Sequence, residues 1–86
     1  MTGEYSISEV KVPRFFIDKT ILQSAIQDKF LLKVLAVVRL ELDIDAVGNP
    51  LNRQVMHEPD DNFVLQSGDT LFILGTNEKI AEFRNM

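Results

Sequence analysis

Leu65-Gln66-Ser67-Gly68-Asp69-Thr70-Leu71-Phe72-Ile73-Leu74-Gly75 decides the fold, because it reads as a turn running into a buried strand. Gly68 takes a positive φ without strain, and Ser67 and Asp69 can hydrogen-bond neighbouring backbone. Leu71 to Leu74 is short, aromatic and β-branched, which predicts a strand covered on both faces. Gly75 then releases the strand. Thr76 or Asn77 caps a helix from Asn77 to Asn85 that turns Ile80, Ala81 and Phe83 to the sheet and Glu78, Lys79 and Glu82 to water.

Upstream, Ser8, Val10 and Val12 alternate with Glu9 and Lys11, the two-residue period of a first strand, and Pro13 ends it. Arg14 to Asp18 is a connector. Thr20 and Gln23 have the spacing of a capping box, so a helix is expected from Ile21 to Asp28. Its apolar stripe is Ile21, Leu22, Ala25 and Ile26, with Gln23, Gln27 and Asp28 facing away. Leu31 to Val38 is almost unbroken in hydrophobicity and predicts a central strand covered on both faces, one of them by another subunit. Beyond it, Arg39, Glu41, Asp43 and Asp45 alternate with Leu40, Leu42 and Ile44, so the strand is expected to be long and to project. Val47-Gly48-Asn49-Pro50 is a turn, Arg53 to His57 returns antiparallel, and Glu58 to Asn62 is a polar link.

Composition bounds the rest. A chain of 86 residues forms one domain, 1–86. A domain of this size buries only about 60 to 65% of its unfolded surface, which makes self-association useful. The absence of Cys excludes disulfides, zinc–thiolate sites and thiol chemistry and fits a reducing compartment. A net charge of −4 with scattered basic residues argues against a nucleic-acid surface. Met1-Thr2-Gly3-Glu4 lacks the basic start and apolar core of a signal peptide, and no stretch reaches the roughly 20 apolar residues of a spanning helix.

The order and spacing of these elements resemble the C-terminal lobe of the potassium-conductance regulator family, the TrkA C-terminal or RCK C domain. The resemblance rests on Ile7 to Val12 with Pro13, Lys19-Thr20-Ile21, Lys33 to Arg39, Pro59-Asp60, Leu65, Gly68-Asp69, Leu71 and Gly75. Two features depart from the pattern. Asp18 stands where the family has Gly before its Lys-Thr pair, a residue that tolerates left-handed backbone better than most. Glu41 to His57 is longer than the family's hairpin.

The resemblance implies an α+β fold, a small mixed or antiparallel sheet with two helices packed on it, and a homodimer or larger ring. It also implies partners: a Rossmann-type regulator lobe or subunit, and a membrane potassium channel or uptake system that the domain controls from the cytoplasm, peripheral to the inner membrane. Some family members bind cyclic di-AMP between paired lobes. Carried onto this chain, that site has Phe16 and Val34 on its apolar floor, Arg39 as its charge and Pro59 at its border. The alternatives are a ligand-free assembly module, or the same lobe serving another transporter or a transcription factor.

Other constellations carry less chemistry. Asp43-Ile44-Asp45-Ala46-Val47-Gly48 starts like a calcium loop but has Val47 and Gln54 where oxygen ligands belong, so it reads as a solvated strand face. Asp60-Asp61 reads as a turn and His57 as an exposed strand end. Ser67 lacks the surroundings of a nucleophile, so no enzyme is expected. Gly3, Gly48, Gly68 and Gly75 are too dispersed for a dinucleotide fingerprint, which excludes a Rossmann NAD site in this chain. No cofactor is expected beyond regulatory cyclic di-AMP.

Overall fold

A computed structural model describes residues 4–86; Met1, Thr2 and Gly3, most of the start read as unlike a signal peptide, lie outside the described residues. Four strands, β1 (Tyr5–Lys11), β2 (Lys33–Ile44), β3 (Pro50–His57) and β4 (Thr70–Thr76), form one sheet in the order β1-β4-β2-β3. Every pairing is antiparallel. The class is therefore α+β with an antiparallel sheet. Helices α1 (Ile21–Ser24), α2 (Ile26–Phe30) and α3 (Asn77–Arg84) complete it, with a 3₁₀ turn at Arg14–Phe16.

The deciding stretch folds as its residues require. Gly68 has φ 87° and Asp69 N donates to Gln66 O, which closes the turn. In β4, Leu71 and Ile73 are buried while Phe72 and Leu74 are only half-buried. The single chain thus covers one face of this strand where two were expected, because all its helical cover lies on one side. Gly75 lies within β4 opposite Ser6 rather than ending it, and its missing Cβ leaves room for the Leu32 side chain. Thr76 is the helix cap, accepting from Lys79 N at 3.2 Å. Ile80 and Phe83 reach the core as expected, whereas Ala81 is exposed.

The first helix is two short pieces rather than one. The capping box is present: Thr20 Oγ1 accepts from Gln23 N at 3.0 Å, and Gln23 Oε1 accepts from Thr20 N at 2.9 Å. After one turn, Ala25 adopts φ 54° and redirects the chain. Ser24 becomes buried, its hydroxyl donating to Ile21 O at 2.6 Å, and Ile26 enters the core, while Leu22 is left in solvent. The gain from seating Ile26 outweighs the roughly 1–2 kcal/mol cost of left-handed backbone at an alanine. Asp18 also takes a positive φ, 70°, as its place before the Lys-Thr pair requires. Thr20→Ala removes half of the capping box and is expected to cost about 1 kcal/mol, a fall of about 4–8 °C in the thermal midpoint by calorimetry.

The core sits between the sheet and the helices. Phe16, Phe30 and Phe83 form its aromatic centre: Phe16 stacks on Phe83 with centroids 5.5 Å apart, and Phe30 meets Phe83 edge-on at 5.4 Å. Val10, Val37, Leu65, Leu71 and Ile73 close around them. Opposed residues in an antiparallel ladder point to the same side, so the register defines both faces. Val10, Leu71 and Val37 share the covered face, and Ile7, Leu74, Phe72, Ala36 and Val38 share the open one.

Past Val38, β2 loses its β4 neighbour and continues with β3 alone as a two-stranded arm. The arm turns at Asp45 to Asn49, where Asp45 Oδ1 accepts from Val47 N and Asn49 N. Its projection makes the molecule elongated, 55 × 24 × 21 Å. The radius of gyration is 14.6 Å against about 12 Å for a compact domain of this length.

Candidate functional site: an ion-paired arm root and an open apolar face

Where the arm leaves the body, its covered side carries a chain of charged and aromatic contacts. Arg39 Nε donates to Asp69 Oδ1 and Arg39 Nη2 to Asp69 Oδ2, both at 2.8 Å, and Nη2 also donates to Val64 O at 2.9 Å. Asp69 is fully buried and also accepts from Gln66 N at 2.8 Å. The Arg39 pKa is raised above its ordinary value, chiefly by the hydrogen bond to Asp69, with desolvation opposing. A guanidinium raised in this way stays charged below its already high pKa, so the pair persists through the neutral range. The Arg39 guanidinium also lies over the Phe63 ring, 4.8 Å from its centroid, and the His57 ring is 5.5 Å from Phe63. Farther out, His57 Nε2 meets Glu41 Oε2 at 2.7 Å and Arg53 meets Asp43 at 3.0 Å.

These contacts account for most of the chemistry-bearing residues. Arg39 is committed to Asp69 through two of its nitrogens. Asp43 also accepts from Ile44 N and Asp60 from Asn62 N, so Asp43 and Asp45 of the calcium-like stretch and Asp60 of the following turn serve local backbone and an ion pair. Among the described residues no group of three or more His, Asp or Glu is placed to hold a metal ion. His57, at the end of β3, is half-buried and hydrogen-bonded to Glu41 rather than exposed, and Ser67 is exposed.

The four residues expected around a ligand are not gathered in one cleft of the single chain. Phe16 is 1% exposed and locked in the aromatic core. Val34 packs against that core from β2, Arg39 sits at the arm root, and Pro59 lies half-buried in the link after β3. The surface grooves lie elsewhere. One is lined by Tyr5, Leu31 and Thr76 to Lys79, another by Leu42, Asp43, Ile44 and Pro50.

Sequence reasoning missed the Arg39–Asp69 pair, the strongest polar contact of the site. Its partners are thirty positions apart, and a Gly-Asp turn looks complete by itself. The available signal was an acid whose neighbours on both sides, Leu65 and Leu71, belong to the core.

The opposite side of the sheet is bare. On the arm, Leu40, Leu42 and Ile44 are 62%, 82% and 67% exposed, and Met56 of β3 continues this apolar surface. On the body, Tyr5 and Ile7 are exposed and Phe72, Leu74 and Val38 half-covered. No helix of the described residues is long and apolar enough to cross a membrane.

No protein-family model and no curated protein matches the sequence. Solved structures do match. The RCK C domain of the potassium transport protein KtrA, in complex with cyclic diadenosine monophosphate, superposes with a TM-score of 0.66 at 20% identity, over 95% of this chain and 82% of that one. The chain has the fold of an RCK C domain. The crystal structure of the GsuK RCK domain matches with a TM-score of 0.64 at 17% identity, over 94% of this chain. This chain spans only 16% of the GsuK chain, so the RCK C fold is there one part of a larger protein. Both neighbours are RCK domains, and that of KtrA carries the name regulator of conductance of K+.

Proposed function

We propose that this chain is a regulatory lobe of a potassium channel or uptake system, acting from the cytoplasm as a dimer beside a Rossmann-type regulator lobe or subunit. The observation that carries the reading is the fold shared with the KtrA RCK C domain over nearly the whole chain. The uncovered apolar side of the sheet supports dimerisation, since it matches the kind of surface that subunit interfaces bury. Control of transport would follow from lobes that change their packing when a ligand or a neighbouring lobe favours one arrangement.

Cyclic di-AMP is the proposed effector, by analogy with the KtrA complex. In a dimer, Val34, Pro59 and the two remaining Nη1 donors of Arg39, doubled by two-fold symmetry, would supply floor, border and charge, and Phe16 would contribute only by leaving the core. The binding test is calorimetric titration of the purified chain with cyclic di-AMP, with calcium and an adenine nucleotide as controls. Saturable heat at one dinucleotide per dimer is expected; no heat with the dinucleotide discards the sensing part.

The second reading, a ligand-free assembly module, is favoured by the commitment of Phe16 to the core and of Arg39 to Asp69. It predicts a tight oligomer indifferent to metabolites.

A further inference from the structure

We propose that the groove around Leu31 docks a basic amphipathic segment of another protein, seating an apolar side chain between Leu31 and Tyr5 and a Lys or Arg among Glu4, Asp28 and Glu78.

The backbone carries the first part of the case. Among the described residues, Asp18, Ala25 and Leu31 take a positive φ without being glycine. Asp18 is of a type that tolerates the left-handed region, and Ala25 enters it to seat Ile26 in the core. Leu31 follows α2 at φ 56° with 67% of its surface exposed, so this strained leucine puts little of itself into the fold. The turn from α2 into β2 uses a left-handed residue there, and Gly or Asn would supply it at less cost. A contact made outside this chain accounts for a large apolar side chain at such a position.

The surroundings fit that contact. Grooves run along both sides of Leu31, and Tyr5, 69% exposed at the start of β1, lines both. One continues to Thr76–Lys79 at the start of α3, the other to Leu74 of β4 and the buried Leu32. Two exposed large apolar side chains beside a concavity form the kind of pocket in which a partner's anchor residue is buried. Neither Arg39 nor any residue of the arm lines either groove, so the site is separate from the proposed effector contacts.

Charge selects the occupant. Glu4 and Glu78 line one groove and Asp28 the other; all three are exposed, and among the described residues none of them forms an ion pair. The opposing cations are Lys33 and Lys79, and Lys79 is already paired with Glu82 at 3.2 Å. The balance favours a cationic segment. A second copy of this chain, at −4, brings like charge to the same acids.

The experiment is fluorescence anisotropy of a labelled synthetic Leu/Lys amphipathic peptide titrated with the full chain. A Leu/Glu peptide of the same pattern is the charge control, and thermal melting of each variant is followed by calorimetry. Saturable binding of the Leu/Lys peptide at one per chain is expected, with the Leu/Glu peptide at least about tenfold weaker. Leu31→Asn is expected to weaken Leu/Lys binding at least about tenfold while its thermal midpoint stays at or above the parent's, because asparagine enters the left-handed region more readily than leucine. Glu78→Gln is expected to reduce affinity about two- to fivefold and to flatten its salt dependence. Leu42→Asn, at an exposed leucine of the arm, is expected to bind like the parent.

No binding by the parent, equal binding of the two peptides, or Leu31→Asn binding as tightly as the parent overturns the proposal. An equal loss in Leu31→Asn and Leu42→Asn does so too, since it marks unspecific apolar capture. A marked fall in the thermal midpoint of Leu31→Asn assigns Leu31 to the fold and also overturns it.

Discussion

Replacing Arg39 by alanine is expected to lower the stability of the domain by about 3–5 kcal/mol, measured by urea unfolding of the purified chain. Removing the guanidinium takes two 2.8 Å hydrogen bonds from Asp69 and one from Val64 O, leaving the buried carboxylate with Gln66 N alone. The cost arises from a charge left buried without its counter-charge, more than from the net worth of the pair. Arg39→Lys recovers little, because an ammonium cannot span both carboxylate oxygens. Adding Asp69→Asn to Arg39→Ala is expected to recover part of the loss, since the amide removes the stranded charge and keeps an acceptor for Gln66 N. A single Arg39→Ala within about 1 kcal/mol of the parent would show that water reaches Asp69.

Phe83→Ala is the second large effect, about 3–5 kcal/mol in the same assay. Phe83 is fully buried and meets both Phe16 and Phe30, so truncation opens a cavity at the junction of α3 with the rest of the core. Against a total stability of roughly 4–13 kcal/mol for a domain this size, either change brings the chain close to unfolding. Phe15→Ala provides the contrast. That ring touches Phe16 edge-on and lies under Lys19 Nζ but is largely in solvent, and its loss is expected to stay within about 1 kcal/mol.

The Arg39 result also bears on ligand sensing. If cyclic di-AMP binds and Arg39→Ala abolishes binding, a simultaneous loss of stability identifies Arg39 as a structural support of the site. A ligand contact is established only where the folded variant fails to bind.

Elements whose cause is local were legible in the sequence. Gly68 announces its turn because only glycine takes that backbone freely, and Thr20 with Gln23 announces a helix start because the two satisfy each other's amides within one turn. The alternation from Arg39 to Asp45 gave the projecting arm for the same reason, since period two is the geometry of a strand. The break at Ala25 was not legible: nothing in an alanine favours φ 54°, and it is imposed by the place that Ile26 must take in the core. Ala81 shows the same limit at smaller scale, since its helix turns about Ile80 and Phe83 and leaves it in water.

The sequence by itself determined the order of the strands along the chain, the starts of the helices at Ile21 and Asn77, the acidic charge and the absence of thiol chemistry, because each depends on neighbouring residues or on composition alone. Only the tertiary structure decided that Arg39 is bound to Asp69, that Phe16 is sealed in the core, and that the apolar column of the arm faces outward. Those depend on which residues the sheet register brings opposite one another across thirty or more positions, and on which face the helices reach. Hydrophobicity marked Leu40, Leu42 and Ile44 as residues to be buried, and the fold showed that this chain alone does not bury them.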